Sequence, residues 1–286
     1  TLPIGRHGVG GHGDNRQCIL PRQSPNCRCR GKPVEHLDAW EAYHRGLWHM
    51  YRFTEADNRE ARQFFVTAVQ LDPTFARAHA ALSFTHFQEA FQGWGPRAAA
   101  SDRAFAAAGQ SLLVDDRDPA AHWAMGRALW LRGRNESAIA ELERSIDLAP
   151  NFSLAHYTLA FIHSQAGDPA AAILAADRSR ALSPFDPLLF GTLASRAMAL
   201  ARMGRYQEAA DWAVKAAARP NAHVHIQAIA AYSLALAGAL APARAQAEAI
   251  RTIVPAYSVA DFLAAFQFDA DGSARFRQAA AQIGMA

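Results

Sequence analysis

Ala121-His122-Trp123-Ala124-Met125-Gly126 is answered 34 positions on by Ala155-His156-Tyr157-Thr158-Leu159-Ala160. Around these phrases a unit of 34 residues is written twice between residues 119 and 186 with no insertion or deletion. Gly126, Gly133, Ala138 and Pro150 fall on Ala160, Gly167, Ala172 and Pro184. The residue types account for the offsets. Two helices approach closely only where small side chains occupy the crossing, which suits Gly126 with Ala138 and Ala160 with Ala172. Glycine tolerates the positive φ needed to leave a helix, which suits Gly133 and Gly167, and Pro150 and Pro184 stop the second helix of each unit.

A 34-residue period with small residues at these places resembles the tetratricopeptide repeat. The resemblance implies an all-α fold: a right-handed α-solenoid of about six helix pairs with a C-terminal helical cap. Working outward, repeats are expected at about 37–73, 74–116, 117–150, 151–184, 185–221 and 222–255. Ala78-His79-Ala80-Ala81-Leu82-Ser83 opens the second with the same phrase, and its turn is expanded through Phe91 to Pro96. The turn of the first repeat is a few residues long, with its second helix expected from about Asn58. The fifth repeat is three residues longer than its neighbours, and Gly238 regains the register 34 positions after Gly204. Residues 256–286 read as two amphipathic helices divided at Asp269 to Gly272. They would cover the last apolar face of the solenoid, with Phe262, Phe266 and Phe268 as core of the cap.

With 286 residues, 51% of them hydrophobic and 19% charged, the chain can bury a large core, and its abundant alanine favours helix. The net charge of +3 is unevenly placed. Residues 1–33 carry Arg6, Arg16, Arg22, Arg28, Arg30 and Lys32 against the single acid Asp14, in a Gly- and Pro-rich setting without an apolar period. This arm is expected to be disordered and dispensable for folding, leaving 34–286 as the folded domain. It holds all three cysteines, Cys18, Cys27 and Cys29, beside His7 and His12, but C-x8-C-x-C matches no closed four-ligand zinc pattern. Six scattered charges without interleaved aromatics argue against a nucleic-acid partner. There is no apolar stretch suited to a secretion signal and none long enough to span a membrane, so the expectation is a cytoplasmic chain with no membrane partner.

No HExxH, GxSxG, Walker or GxGxxG phrase is present, so no catalytic, metal or cofactor site is expected. His79, His122 and His156 occupy one equivalent position in three repeats, which points to a shared structural role at the helix junction. His223 and His225, with Asn221 nearby, would hold a metal only by accident.

In tetratricopeptide arrays the first helix of each repeat lines an inner groove. The resemblance therefore implies a ligand groove of Arg77, Phe84, Phe87, Trp123, Arg127, Trp130, Tyr157 and Phe161, for a protein or peptide partner. Trp123, Arg127 and Trp130 stand at i, i+4 and i+7 and share a helix face, which suits a ligand with apolar anchors and an acid. On this reading Arg127 is an exposed contact whose loss costs little stability. The Lys and Asn clamp of chaperone-binding relatives is absent.

The stretch Arg30-Gly31-Lys32-Pro33-Val34-Glu35-His36-Leu37-Asp38-Ala39-Trp40, continued to Thr54, resembles the lead-in to the C-terminal repeat region of certain bacterial signalling proteins. In those, a class III adenylate/guanylate cyclase or winged-helix domain comes first. The resemblance implies a regulatory or scaffolding array that is not itself an enzyme, because neither domain has a counterpart in these residues. The competing reading is the regulatory part of a cyclase or transcriptional regulator whose catalytic or DNA-binding domain lies outside this chain.

Overall fold

In the computed structural model, which describes residues 37–286, the first helix begins where Asp38 can cap it. Its carboxylate accepts from the Glu41 backbone N–H at 2.7 Å, and the Glu41 carboxylate accepts in turn from the Asp38 N–H at 3.0 Å. This helix, α1 (Ala39–Met50), pairs with α2 (Glu55–Leu71), which starts at Glu55 rather than Asn58 because Thr54 caps it, accepting from the Asp57 N–H at 3.1 Å. Further hairpins follow: α3 (Ala76–Phe91) with α4 (Arg97–Val114), α5 (Pro119–Leu131) with α6 (Asn135–Leu148), and α7 (Ser153–Gln165) with α8 (Pro169–Leu182). Then come α9 (Leu189–Arg202) with α10 (Tyr206–Ala217), α11 (Val224–Leu236) with α12 (Leu240–Ile253), and the short α13 (Val259–Ala265) with α14 (Ala270–Gln282). Among the described residues every regular element is a helix. The cysteine-bearing arm and the lead-in up to His36 lie outside the described residues.

Small residues set the hairpin geometry. A Cβ on Gly126 would stand 2.8 Å from Leu142 Cγ and 3.1 Å from the Ala138 carbonyl, and one on Gly46 would stand 2.5 Å from the ring of Phe65. Leu142 and Phe65 are both fully buried. Gly133 leaves α5 at φ +70°, the left-handed region that a Cβ disfavours. Gly167 differs from the expectation. It is not among the glycines with positive φ, and what it provides is room, since a Cβ there would stand 2.5 Å from His163 Nδ1. The next helix is started instead by Asp168, which accepts from the Ala170 N–H at 2.8 Å, and by Pro169 at its first position.

The repeated histidines share one task. Nε2 of His79, His122 and His156 donates to the carbonyl six residues upstream, that of Pro73, Asp116 and Pro150, at 3.1, 2.8 and 3.1 Å. Each pins the inter-repeat turn to the helix that follows it. Ser111 and Ser145 do the converse from the second helices, donating to the Ala76 and Pro119 carbonyls at 2.7 Å.

The stack bends until its ends meet. Asn221 Nδ2, before α11, donates to the Tyr51 carbonyl at 3.3 Å and to the Pro187 carbonyl at 2.6 Å. Phe53, at φ +55°, packs edge-on against Phe190 with centroids 4.8 Å apart and lies 6.2 Å from the His223 ring. A bulky residue in that conformation carries about 1–3 kcal/mol of strain, which the seam contacts offset. The C-terminal helices cover α11 as expected, with Phe262 and Phe276 against Tyr232 at 5.1 and 6.1 Å. They also do more. The linker between them reaches back to the third, fourth and fifth hairpins: the Gln267 N–H donates to Gln165 Oε1 at 2.7 Å, its side chain donates to the Trp130 carbonyl, and Asp269 pairs with Arg202 at 2.9 Å.

Because Gly126 faces side chain and backbone together, Gly126→Val should destabilise the fold by about 1–3 kcal/mol through overpacking. Gly109, whose Cβ would meet nothing within 4 Å, should accept alanine without loss. Parallel denaturant titrations of the two variants check this.

Candidate functional site

The face shared by Trp123, Arg127 and Trp130 does point inward, but the inside is full. Phe84, Phe87, Trp123, Arg127, Trp130, Tyr157 and Phe161 are all buried, Arg127 to 3% exposure and Trp130 to 1%. Reading Arg127 as an exposed contact is therefore corrected. The rings of its own and neighbouring repeats, the Phe53 seam and the linker at Phe266 close the interior around it. Arg77 stands apart from the other seven, on the rim, where its Nε donates to Asp118 at 2.7 Å and ties α3 to the start of α5.

Arg127 sits in a cage of aromatic faces. Its guanidinium carbon lies 4.6 Å from the centroid of Phe87, 5.0 Å from Tyr157, 5.1 Å from Phe84, 5.5 Å from Trp123 and 5.7 Å from Phe161. Its Nε donates to Thr158 Oγ1 at 3.2 Å, which also receives the Trp123 indole N–H at 3.0 Å. Burial works to lower the Arg127 pKa, and Tyr157 works against that. Desolvating an ion costs several kcal/mol, while ring contacts at about 0.5–2 kcal/mol each supply a comparable sum over the five. The cage is thus able to keep the charge inside the fold.

Phe91 joins the two halves of this aromatic system and was missed in the sequence. It continues the row Phe84, Phe87, Phe91 at i, i+3 and i+7 on α3, a signal available to inspection, and it touches Phe161, His223, His225 and Phe266 with centroids 5.2–5.8 Å apart. The rings of His223 and His225 lie 5.6 Å apart, and His225 Nδ1 meets the Tyr257 hydroxyl at 2.7 Å. Burial holds both imidazoles neutral, with the pKa of His225 pushed down to about 4 and that of His223 well below its usual value. Their surroundings are aromatic. Among the described residues no group of three His, Cys, Asp or Glu side chains is placed to hold a metal ion.

On the outer side of Phe91 a cleft of about 510 Å³ opens between the expanded turn after α3 and the C-terminal helix α13. Trp94 and Arg97 contribute from the turn, Val224 and Val254 from the ends of α11 and α12, and Asp261 and Ala264 from α13, with His225 alongside. Arg97 uses Nη1 on the Ala90 carbonyl at 3.3 Å, and no side chain caps α4, whose first N–H groups lie at this turn. Asp261 is held by the Ser258 N–H and hydroxyl, each at 2.9 Å. An apolar trough with a cation at one rim can take an apolar side chain next to an acid.

Residues 119–152 match the family model described as tetratricopeptide repeat. Among solved structures the chain is similar to the APC/C hetero-tetramer Cut9-Hcn1 at 16% identity and a TM-score of 0.58, over 85% of this chain and 43% of that one. It is also similar to a thermophilic TPR protein of Thermus thermophilus at 16% identity and a TM-score of 0.53, over 68% of this chain and 98% of that one. Pseudomonas aeruginosa pilF aligns at 19% identity and a TM-score of 0.51, over 76% of this chain and 92% of that one. These likenesses establish the solenoid fold. The chain spans less than half the length of the Cut9-Hcn1 chain it matches. A search of curated proteins gives no match, and no described helix is long and apolar enough to cross a membrane.

Two outcomes follow from the cage and its histidines. Arg127→Ala should cost about 3–5 kcal/mol in a denaturant titration, because it empties the centre of the ring cage, whereas Arg127→Met keeps the volume without the charge and should lie within about 1–2 kcal/mol of wild type. The neutral histidines set a pH dependence. His225, and also the buried His86 on α3 beside Glu89, are each pushed down by burial to about 4, so they take up protons in the unfolded chain near 6.5 but in the folded one only near 4. The unfolded state binds more protons across that window, so stability is complete above about pH 6.5 and is lost as pH falls toward 4. Melting curves between about pH 7.5 and 4.5 should show the decline, and His225→Phe should flatten it.

Proposed function

We propose that this chain is a protein-binding scaffold that takes an extended partner segment in the outer cleft between the Gly93–Arg97 turn and α13. The observation that carries the reading is the cleft itself, with apolar walls and Arg97 at its rim. Tetratricopeptide repeats are typically scaffolds rather than enzymes, which supports the same class. The ligand keeps the chemistry expected from the sequence, an apolar anchor beside an acid, but its site moves outward. The inner residues Phe84, Phe87, Trp123, Arg127, Trp130, Tyr157 and Phe161 serve as the wall that holds Phe91 and His225 in place behind it. The resemblance of residues 30–54 to the lead-in of bacterial signalling proteins supports a place for the scaffold in bacterial signalling.

Capture of partners from the native host by the full chain, compared with Ala264→Trp and Arg97→Ala, tests this. The indole introduced at position 264 fills the trough and should abolish capture, and loss of the guanidinium should weaken it about 5–150-fold, with both melting temperatures kept. Undiminished capture by Ala264→Trp would overturn the cleft as the docking site. Cyclic-nucleotide formation above a buffer blank would favour the cyclase reading instead.

A further inference from the structure

Behind the outer cleft, and independent of what docks there, lies a small chamber at the centre of the closed spiral. Its volume is about 20 Å³, room for one water-sized particle, and Gln88, Arg127, Tyr157, Phe190 and His223 are among its walls. Three polar atoms buried around it make no hydrogen bond: Arg127 Nη2, Gln88 Oε1 and His223 Nδ1. Arg127 and Gln88 are only 3% and 2% exposed. Tyr157 is the side chain that acts on Arg127, through a hydrogen bond to its hydroxyl, and among the described residues no carboxylate acts on the guanidinium.

We propose that this chamber is a binding site for a single small inorganic anion of the halide class, held by Arg127 Nη2. Three features select that ligand. The guanidinium carries a full charge that ring faces attract but do not neutralise, and an anion does both at once. The neutral imidazole of His223 can place its proton on Nδ1 and donate into the chamber. Size does the rest. A carboxylate side chain or a phosphate exceeds the chamber, whereas a chloride ion is close to one water in volume.

The site stabilises the folded state by mass action, because the unfolded chain has no equivalent of it. Thermal melts of the full chain in sodium chloride against sodium gluconate, at matched ionic strength, should show a midpoint higher by about 2–4 °C in chloride. The Arg127→Met variant, whatever its absolute stability, should melt at the same temperature in both salts. Crystals of wild-type protein grown in sodium bromide should give an anomalous peak within hydrogen-bonding distance of Arg127 Nη2. Equal midpoints in the two salts for wild type, an undiminished chloride response in Arg127→Met, or a chamber without anomalous signal would each overturn the assignment.

Discussion

A stack of helical hairpins that curves far enough to touch its own beginning has to fill its middle, because a buried polar backbone or an unsolvated gap costs more than the packing around it returns. That constraint governs this structure. Asn221 grips the Tyr51 and Pro187 carbonyls across the seam, Phe53 accepts a disfavoured backbone angle to reach Phe190, and the linker at Gln267 ties the far end to the third and fourth hairpins. Once those contacts are made, the face that an open solenoid presents to partners is enclosed. Aromatic rings occupy it because they bury the most area with the fewest rotors. The guanidinium they surround depends on their faces to remain charged.

Much of this was written locally and could be read. The 34-residue period, the tight crossing at Gly126, the left-handed exit at Gly133 and the shared work of His79, His122 and His156 all depend on residues within one repeat or between neighbours. That Trp123, Arg127 and Trp130 share one face was equally legible from helical spacing, and their inward direction was what the tetratricopeptide resemblance implied. Their burial was not legible. It is decided by Phe53, His223 and Phe266, which lie far from Arg127 in the chain, and by a curvature that accumulates from small rotations no single repeat reveals. Gly167 failed for a related reason: its position in the repeat matches Gly133, but Asp168 and Pro169 provide a different way to begin the next helix.

The outer cleft illustrates how an irregularity becomes a feature. A regular second repeat would pass directly from α3 to α4. The extra residues through Gly93, Trp94 and Pro96 instead build a wall opposite α13, so the cleft exists only because one turn is long and the C-terminal helices fold back toward it. Phe91 belongs to both sides, closing the aromatic interior and flooring the approach to the cleft. A change in the packing of one compartment is therefore felt in the other.

Closure at the seam also alters how the molecule comes apart. In an open repeat array each unit leans only on its neighbours, so terminal repeats fray independently and unfolding is gradual. Here the first hairpin is fastened to the fifth and sixth across about 170 residues of chain. Removing it would expose the aromatic interior that the seam encloses, so the array is expected to melt as one body. The loop that must be closed to make that fastening is long, so its closure carries an entropic cost that a stack held only by neighbouring repeats would not meet.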